Sequence, residues 1–121
     1  MNFPDRRVLV VEDDAMIAMM IEDMLADLGC LVVGPATSLS GALALAGGEA
    51  PFDVAILDVN LGGEPVFPVA DVLRARGAPM IFSTGYGEGG LREADKGCAV
   101  LHKPFRASEL IAALGAAFGV V

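Results

Sequence analysis

A length of 121 residues fits one compact domain, and a composition that is 55% hydrophobic is far too apolar for a disordered chain. Aromatics reach only 6%, with no Trp, so the core must be built from Val, Leu, Ile, Ala and Met. The net charge of −8, with eight Lys and Arg spread along the chain, argues against the basic face that nucleic-acid binding needs; by itself it says little beyond solubility.

Arg7–Val11 (RVLVV) predicts a first strand, apolar throughout as a strand covered on both faces should be. Asp14–Leu28 predicts a helix whose stripe Ile17, Met20, Ile21, Met24, Leu25, Leu28 follows the i, i+3, i+4, i+7 rule, with Gly29 as its stop. Met16 and Met19 fall off that stripe, beside Glu22 and Asp23. Scattered surface hydrophobes are ordinary, but methionine also suits an adaptable docking face. Leu31–Gly34 follows as a second strand, and Ser38 or Ser40 caps a short helix that runs to about Gly47.

Asp53–Leu57 (DVAIL) is a third strand ending at Asp58, Asn60–Glu64 (NLGGE) a loop, and Val66–Arg76 a helix with Pro68 in its first turn. Pro79–Ser83 is a fourth strand. A Gly-rich run over Gly85–Gly90 precedes a short helix, Leu91–Lys96; Ala99–Leu101 is a fifth strand and Ala107–Phe118 a closing helix. The chain ends just past that helix, so residues 1–121 are expected to form a single domain.

Strands alternating with helices indicate an α/β fold with a parallel sheet. Five such units predict an open, doubly wound sheet, and the fold expected is flavodoxin-like, with five parallel strands in order 2-1-3-4-5 and helices on both faces. Cys30 and Cys98 follow no metal or redox spacing and fall on opposite edge strands, as buried free thiols of a reducing cytoplasm. No export signal is evident, and the apolar run Ala15–Ile21 is far short of the ~20 residues that span a bilayer. A cytoplasmic protein without membrane contact is expected.

Ligands in such sheets bind at the carboxyl ends of the strands, where the strand order reverses. The residues there are Glu12 and Asp13, Asp58, Thr84 and Lys103. Each taken alone has a plainer account. The acids at 12–14 can cap a helix, with Asp14 the best placed. Asp58 can be a turn residue, Thr84 a strand-end hydroxyl and Lys103 a solvated lysine. Together, three carboxylates on one rim repel one another unless something positive neutralises them. A hard divalent cation such as Mg²⁺ takes oxygen ligands of this kind, commonly alongside a substrate phosphate. Lys103 supplies a fixed charge for a phosphoryl oxygen and Thr84 a hydroxyl for another. A carboxylate there can act as a nucleophile and form an aspartyl phosphate. His102, as the strand neighbour of Lys103, should point to the opposite face, and Phe105 is expected to pack behind the Lys-Pro turn.

The segments VLVVEDD (8–14), DVAILDVNLGG (53–63), FSTGYG (82–87) and HKPF (102–105) closely resemble the response-regulator receiver family of two-component signalling, over essentially the whole chain. The resemblance implies Asp58 as phosphoacceptor and Mg²⁺ as cofactor. The metal would be held by Asp13, by Glu12 mainly through water, by Asp58 and by the backbone carbonyl of Asn60. Thr84 and Lys103 would hold the phosphoryl oxygens, and the Lys103–Pro104 bond would be cis. The implied role is regulatory rather than enzymatic: phosphoryl acceptance from a histidine kinase or phosphotransfer protein, slow self-hydrolysis, and output through contacts with a downstream protein target or in a homodimer. In place of the aromatic switch residue common in the family stands Val100. The FSTGYGEGG run is similar to a Phe-Ala-Thr-Gly-x-Tyr-like subgroup often found as single-domain regulators, which makes Tyr86 and Gly85–Gly90 the expected switching element.

Two other functions fit parts of the pattern. An aspartyl-phosphate phosphatase would carry a second Asp two residues after its nucleophile, where this chain has Asn60, which cannot transfer protons. An interaction module that had lost phosphorylation would have no reason to keep the acceptor, metal and lysine positions together.

Overall fold

Val8, Leu9, Val10 and Val11 are all buried, and alternate side chains enter two different cores. That is the period-2 geometry of a strand covered on both faces. They form β1 (Arg7–Val11), the start of a chain whose structure, a computed structural model, describes residues 3–85 and 90–119. The elements that follow are α1 (Ala15–Asp27), β2 (Leu31–Ala36), α2 (Leu39–Ala46), β3 (Val54–Asp58), β4 (Asn60–Leu61) and β5 (Glu64–Pro65). After them come α3 (Phe67–Ala75), β6 (Met80–Thr84), β7 (Ala99–His102) and α4 (Ala107–Phe118).

Five of the strands form one parallel sheet in the order β2-β1-β3-β6-β7. Counting only the strands of that sheet, this is the expected 2-1-3-4-5. Leu9, Val11, Ala55, Leu57 and Phe82 pack with Val69, Ala70 and Leu73 of α3 and with Ala42 and Ala46 of α2. Val8, Val10, Val54, Ile56, Ile81 and Leu101 pack with Ile21 and Leu25 of α1 and with Leu110 and Leu114 of α4. Because β1 and β3 are neighbours while the chain leaves them in opposite directions across the sheet, their carboxyl ends flank the crevice of a doubly wound fold.

The helix starts follow the sequence signals. Asp14 caps α1, its Oδ1 accepting from the N–H groups of Met16 and Ile17, and Ser38 caps α2 through Gly41 N–H. In α1, Ile21 and Leu25 are fully buried and Ile17, Met20 and Met24 half-buried, while Met16 and Met19 are exposed at 82% and 62%.

Four local expectations need correction. The second strand does not stop at Gly34 but runs to Ala36, through a cis Gly34–Pro35 bond and a break in its register with β1. Gly34 has φ +98, and a Cβ there would lie 2.8 Å from the Ala36 nitrogen, so no other residue fits. The segment Asn60–Glu64 is not a plain loop but carries the β4–β5 hairpin. The helix expected over Leu91–Lys96 shrinks to a 3₁₀ turn, Glu93–Asp95, because Asp95 turns inward to meet Arg74 and Arg92. Cys30 is buried as expected, but Cys98 is only half-buried; both are free. Among the described residues no helix is long and apolar enough to cross a membrane.

Candidate functional site

β1, β3, β6 and β7 all end at the same rim, and a cavity of about 290 Å³ opens there. It is lined by Asp13, Asp58, Asn60, Gly62, Gly63, Thr84, Gly85 and Lys103. Asp58 and Thr84 are the last residues of β3 and β6, and both are buried; Glu12, one residue past β1, is 1% exposed. Six candidates drawn from distant parts of the sequence, Glu12, Asp13, Asp58, Asn60, Thr84 and Lys103, are thus gathered at one edge of the sheet.

Each of the three carboxylates is aimed by one backbone donor. Glu12 Oε2 accepts from Asp14 N–H at 3.1 Å, Asp13 Oδ2 from Gly62 N–H at 2.8 Å, and Asp58 Oδ1 from Asn60 N–H at 3.2 Å. Lys103 enters from the turn after β7, held there by its own N–H donating to the Thr84 carbonyl at 2.9 Å. Its ammonium lies 2.8 Å from Glu12 Oε1 and 3.3 Å from Asp58 Oδ2. The Lys103–Pro104 bond is cis, as the resemblance implied, and Phe105 is buried behind the turn. His102 is exposed while Lys103 is half-buried.

One ammonium does not balance three carboxylates. Burial pushes the Asp58 carboxyl up, the neighbouring Glu12 and Asp13 push it further, and Lys103 pulls back only in part, leaving it at about 7. Burial also raises Asp13, but its hydrogen bonds with Asp58, Gly62 and Glu12 outweigh this and hold it below the usual carboxylate value. For Lys103, burial works against the charge, and the contacts with Glu12 and Asp58 outweigh it and raise its pKa. The site therefore has room for more positive charge. Oxygens of Glu12, Asp13 and Asp58 lie within 4.8 Å of one another, a donor set of hard oxygen ligands that fits a small divalent cation.

Sequence reasoning missed three features. Gly62 and Gly63 line the cavity, and the Gly-Gly pair of NLGGE was a readable sign of a two-residue hairpin. The direct pairing of Lys103 with Glu12 had no sequence signal. Nor did the buried ionic cluster of Asp95 with Arg74 and Arg92, which lies away from the cavity. Tyr86, the expected switch residue, lies outside the described residues, as does most of the Gly-rich run.

The family model described as "Response regulator receiver domain" matches residues 8–115. The transcriptional regulatory protein PdtaR of Mycobacterium tuberculosis is 35% identical over 113 residues, covering 90% of this chain and 55% of that protein. The chain spans about half the length of the curated relatives it matches. The solution structure of SdrG from Sphingomonas melonis superposes with a TM-score of 0.84 at 41% identity, covering 94% of this chain and 97% of that one. The structure described as the BeF3-activated conformation of SdrG, from Pseudomonas melonis, gives a TM-score of 0.78 at the same 41% identity, covering 94% and 96%.

Proposed function

The chain belongs to the response regulator receiver domain family, a regulatory phosphoacceptor domain, and from that premise we propose that Asp58 takes a phosphoryl group from a histidine kinase or phosphotransfer protein. The observation that carries this reading is the contact of Asp58 Oδ2 with the Lys103 ammonium at 3.3 Å, in a cavity that Asp13 also lines and beside the buried Glu12.

An ionised Asp58 oxygen attacks phosphorus, the bond from phosphorus to the donor imidazole breaks, and the electron pair leaves with the imidazole, which takes up a proton. Asp58 must be a carboxylate for this, so the contacts that ionise it matter as much as those that aim it. Asn60 N–H fixes the orientation of Asp58, and Lys103 offers a charge that a phosphoryl oxygen can share. The buried Thr84 hydroxyl, at the end of the adjacent strand, would meet another. Glu12, Asp13, Asp58 and the carbonyl of Asn60 would hold Mg²⁺, as receiver domains generally do. When bound, the ion would supply the positive charge that three carboxylates and a phosphoryl group require. Water attack on the acyl phosphate would return Asp58 and inorganic phosphate, slowly, since the site holds no second acid positioned as Asn60 is.

On this reading residues 1–121 act as one receiver domain, in the cytoplasm where Cys30 and Cys98 stay reduced. Output passes through contacts with a downstream protein or a second copy. Tyr86 with the run 85–90 takes the part that an aromatic at Val100 would otherwise play.

Incubation with acetyl phosphate and Mg²⁺, followed by intact-mass measurement, tests the proposal. One phosphoryl adduct is expected on the wild type, none on Asp58→Asn and none after chelation. An adduct that survives Asp58→Asn overturns it, and steady turnover of a phosphomonoester would favour the phosphatase instead.

A further inference from the structure

Asp13 is exposed and lies beyond the end of β1, so the sheet does not fix its carboxylate. Its Oδ2 is tied at 2.8 Å to the N–H of Gly62, a residue of the β4–β5 hairpin. Gly62 reaches it because the hairpin turns on Gly62 at φ +58 and Gly63 at φ +93, two successive positive values of the kind a type I′ turn requires. Asn60 closes that turn from inside: its side-chain Oδ1 accepts from Gly63 N–H at 2.8 Å. The Asn60 carboxamide shapes the turn, the turn aims the Gly62 N–H, and the Gly62 N–H orients Asp13.

We infer that the Asn60 side chain is a positioning residue for Asp13 as a metal ligand, acting through the hairpin rather than by touching the ion. The inference rests on the Mg²⁺ reading given above. A carboxylate binds a metal better when its other oxygen is engaged by a donor that fixes its plane. With Oδ2 held by Gly62, the plane of an exposed carboxylate is fixed before any ion would bind, so less side-chain entropy is lost on binding. This role is separate from that of the Asn60 backbone, whose N–H donates to Asp58 and whose carbonyl belongs to the proposed ligand set. A side-chain substitution keeps both backbone groups chemically intact.

The test is a Mg²⁺ titration of the full chain by ¹H–¹⁵N NMR, which reads the Mg²⁺ Kd and the Gly62 amide in the same spectra. Asn60→Ala is expected to weaken Mg²⁺ roughly tenfold and to shift and deprotect the Gly62 amide before any metal is added. Asn60→Asp, which keeps an acceptor oxygen at the same place, is expected to restore the Gly62 signal. If Asn60→Ala leaves the Kd unchanged, or weakens it with the Gly62 amide unmoved, this inference fails alone. A wild type that does not bind Mg²⁺ overturns the metal reading and this inference with it.

Discussion

The Lys103 ammonium lies 2.8 Å from Oε1 of Glu12, a carboxylate with 1% of its surface exposed. Its contact with Asp58 is longer, at 3.3 Å. The lysine is thus anchored by Glu12 and lent to Asp58, which keeps its charge beside the proposed phosphoacceptor. Lys103→Met should let the Asp58 carboxyl rise above its value of about 7 and remove one charge-assisted contact from the reacting group. Such contacts are worth about 1.5–3 kcal/mol, so labelling by acetyl phosphate should slow roughly ten- to a hundredfold. Adduct formation followed by intact mass checks this, with circular dichroism to show that the variant folds.

The raised Asp58 carboxyl makes metal-free stability depend on pH. The folded state holds this proton more tightly than the unfolded chain does, with a pKa of about 7 against 3.8. The resulting stabilisation is complete below 3.8 and is lost as pH climbs toward 7, at up to about 1.4 kcal/mol per pH unit. In EDTA, urea midpoints between pH 5 and 8 should therefore fall more steeply for the wild type than for Asp58→Asn. Added Mg²⁺ should recover the loss at pH 8, because a bound cation compensates the ionised cluster. Parallel wild-type and Asp58→Asn curves would remove the charge-crowding account of this site.

These relationships bear on what the chain discloses before it folds. The positions of Asp58, Lys103, Glu12 and Asp13 were legible because each ends or closely follows a strand, and strand ends are set by short apolar runs such as Val54–Leu57 that pattern alone can find. The alternation of elements indicated a parallel, doubly wound sheet, of which 2-1-3-4-5 is one of the two common orders. Less legible was anything fixed by contacts across the chain. Asp95 reads as an ordinary surface acid in LREADKG, yet it is 0% exposed, since two arginines from different segments converge on it. That convergence also ended the expected helix at a single 3₁₀ turn. Gly34 read as a strand terminator, whereas the backbone of Val10 and Ala36 closes on it and the strand continues.

The Asp95 cluster carries its own prediction. Arg92 Nε donates to Asp95 Oδ2 at 2.8 Å, its guanidinium sits 4.7 Å from the Phe67 ring, and Arg74 donates to Asp95 Oδ1. Burial alone would raise the Asp95 carboxyl, but the hydrogen bonds and charges of Arg92 and Arg74 outweigh it and hold it low. Replacing one arginine with Met leaves the other as partner and should cost about 1–3 kcal/mol. Replacing both strands a charge in the interior and should cost about 3–5 kcal/mol, with a non-additive coupling of about 0.5–3 kcal/mol between the two sites. Urea unfolding of the singles and the double measures this, and additive losses would show that the arginines act independently.

Met16 and Met19 border a groove of about 330 Å³ along α1 with Met20, Asp23, Met24 and Asp27. Met20 also lines a second apolar cleft with Ile17, Lys103, Pro104 and Phe105, so the surface runs without a break from α1 to the turn that carries Lys103. A helix laid along this strip would bring a side chain to the mouth of the Asp58 cavity, its apolar residues against methionine and its basic residues toward Asp23 and Asp27. Met16→Lys combined with Met19→Lys puts two charges on that strip without touching the cavity or the core. Small-molecule labelling by acetyl phosphate should be unaffected. Transfer from a kinase or phosphotransfer protein that labels the wild type should slow at least tenfold, since covering one methionine is worth about 1.5–3 kcal/mol. Equal transfer rates for the two proteins would move the docking surface elsewhere, while slowed labelling by acetyl phosphate would point to damage in the cavity itself.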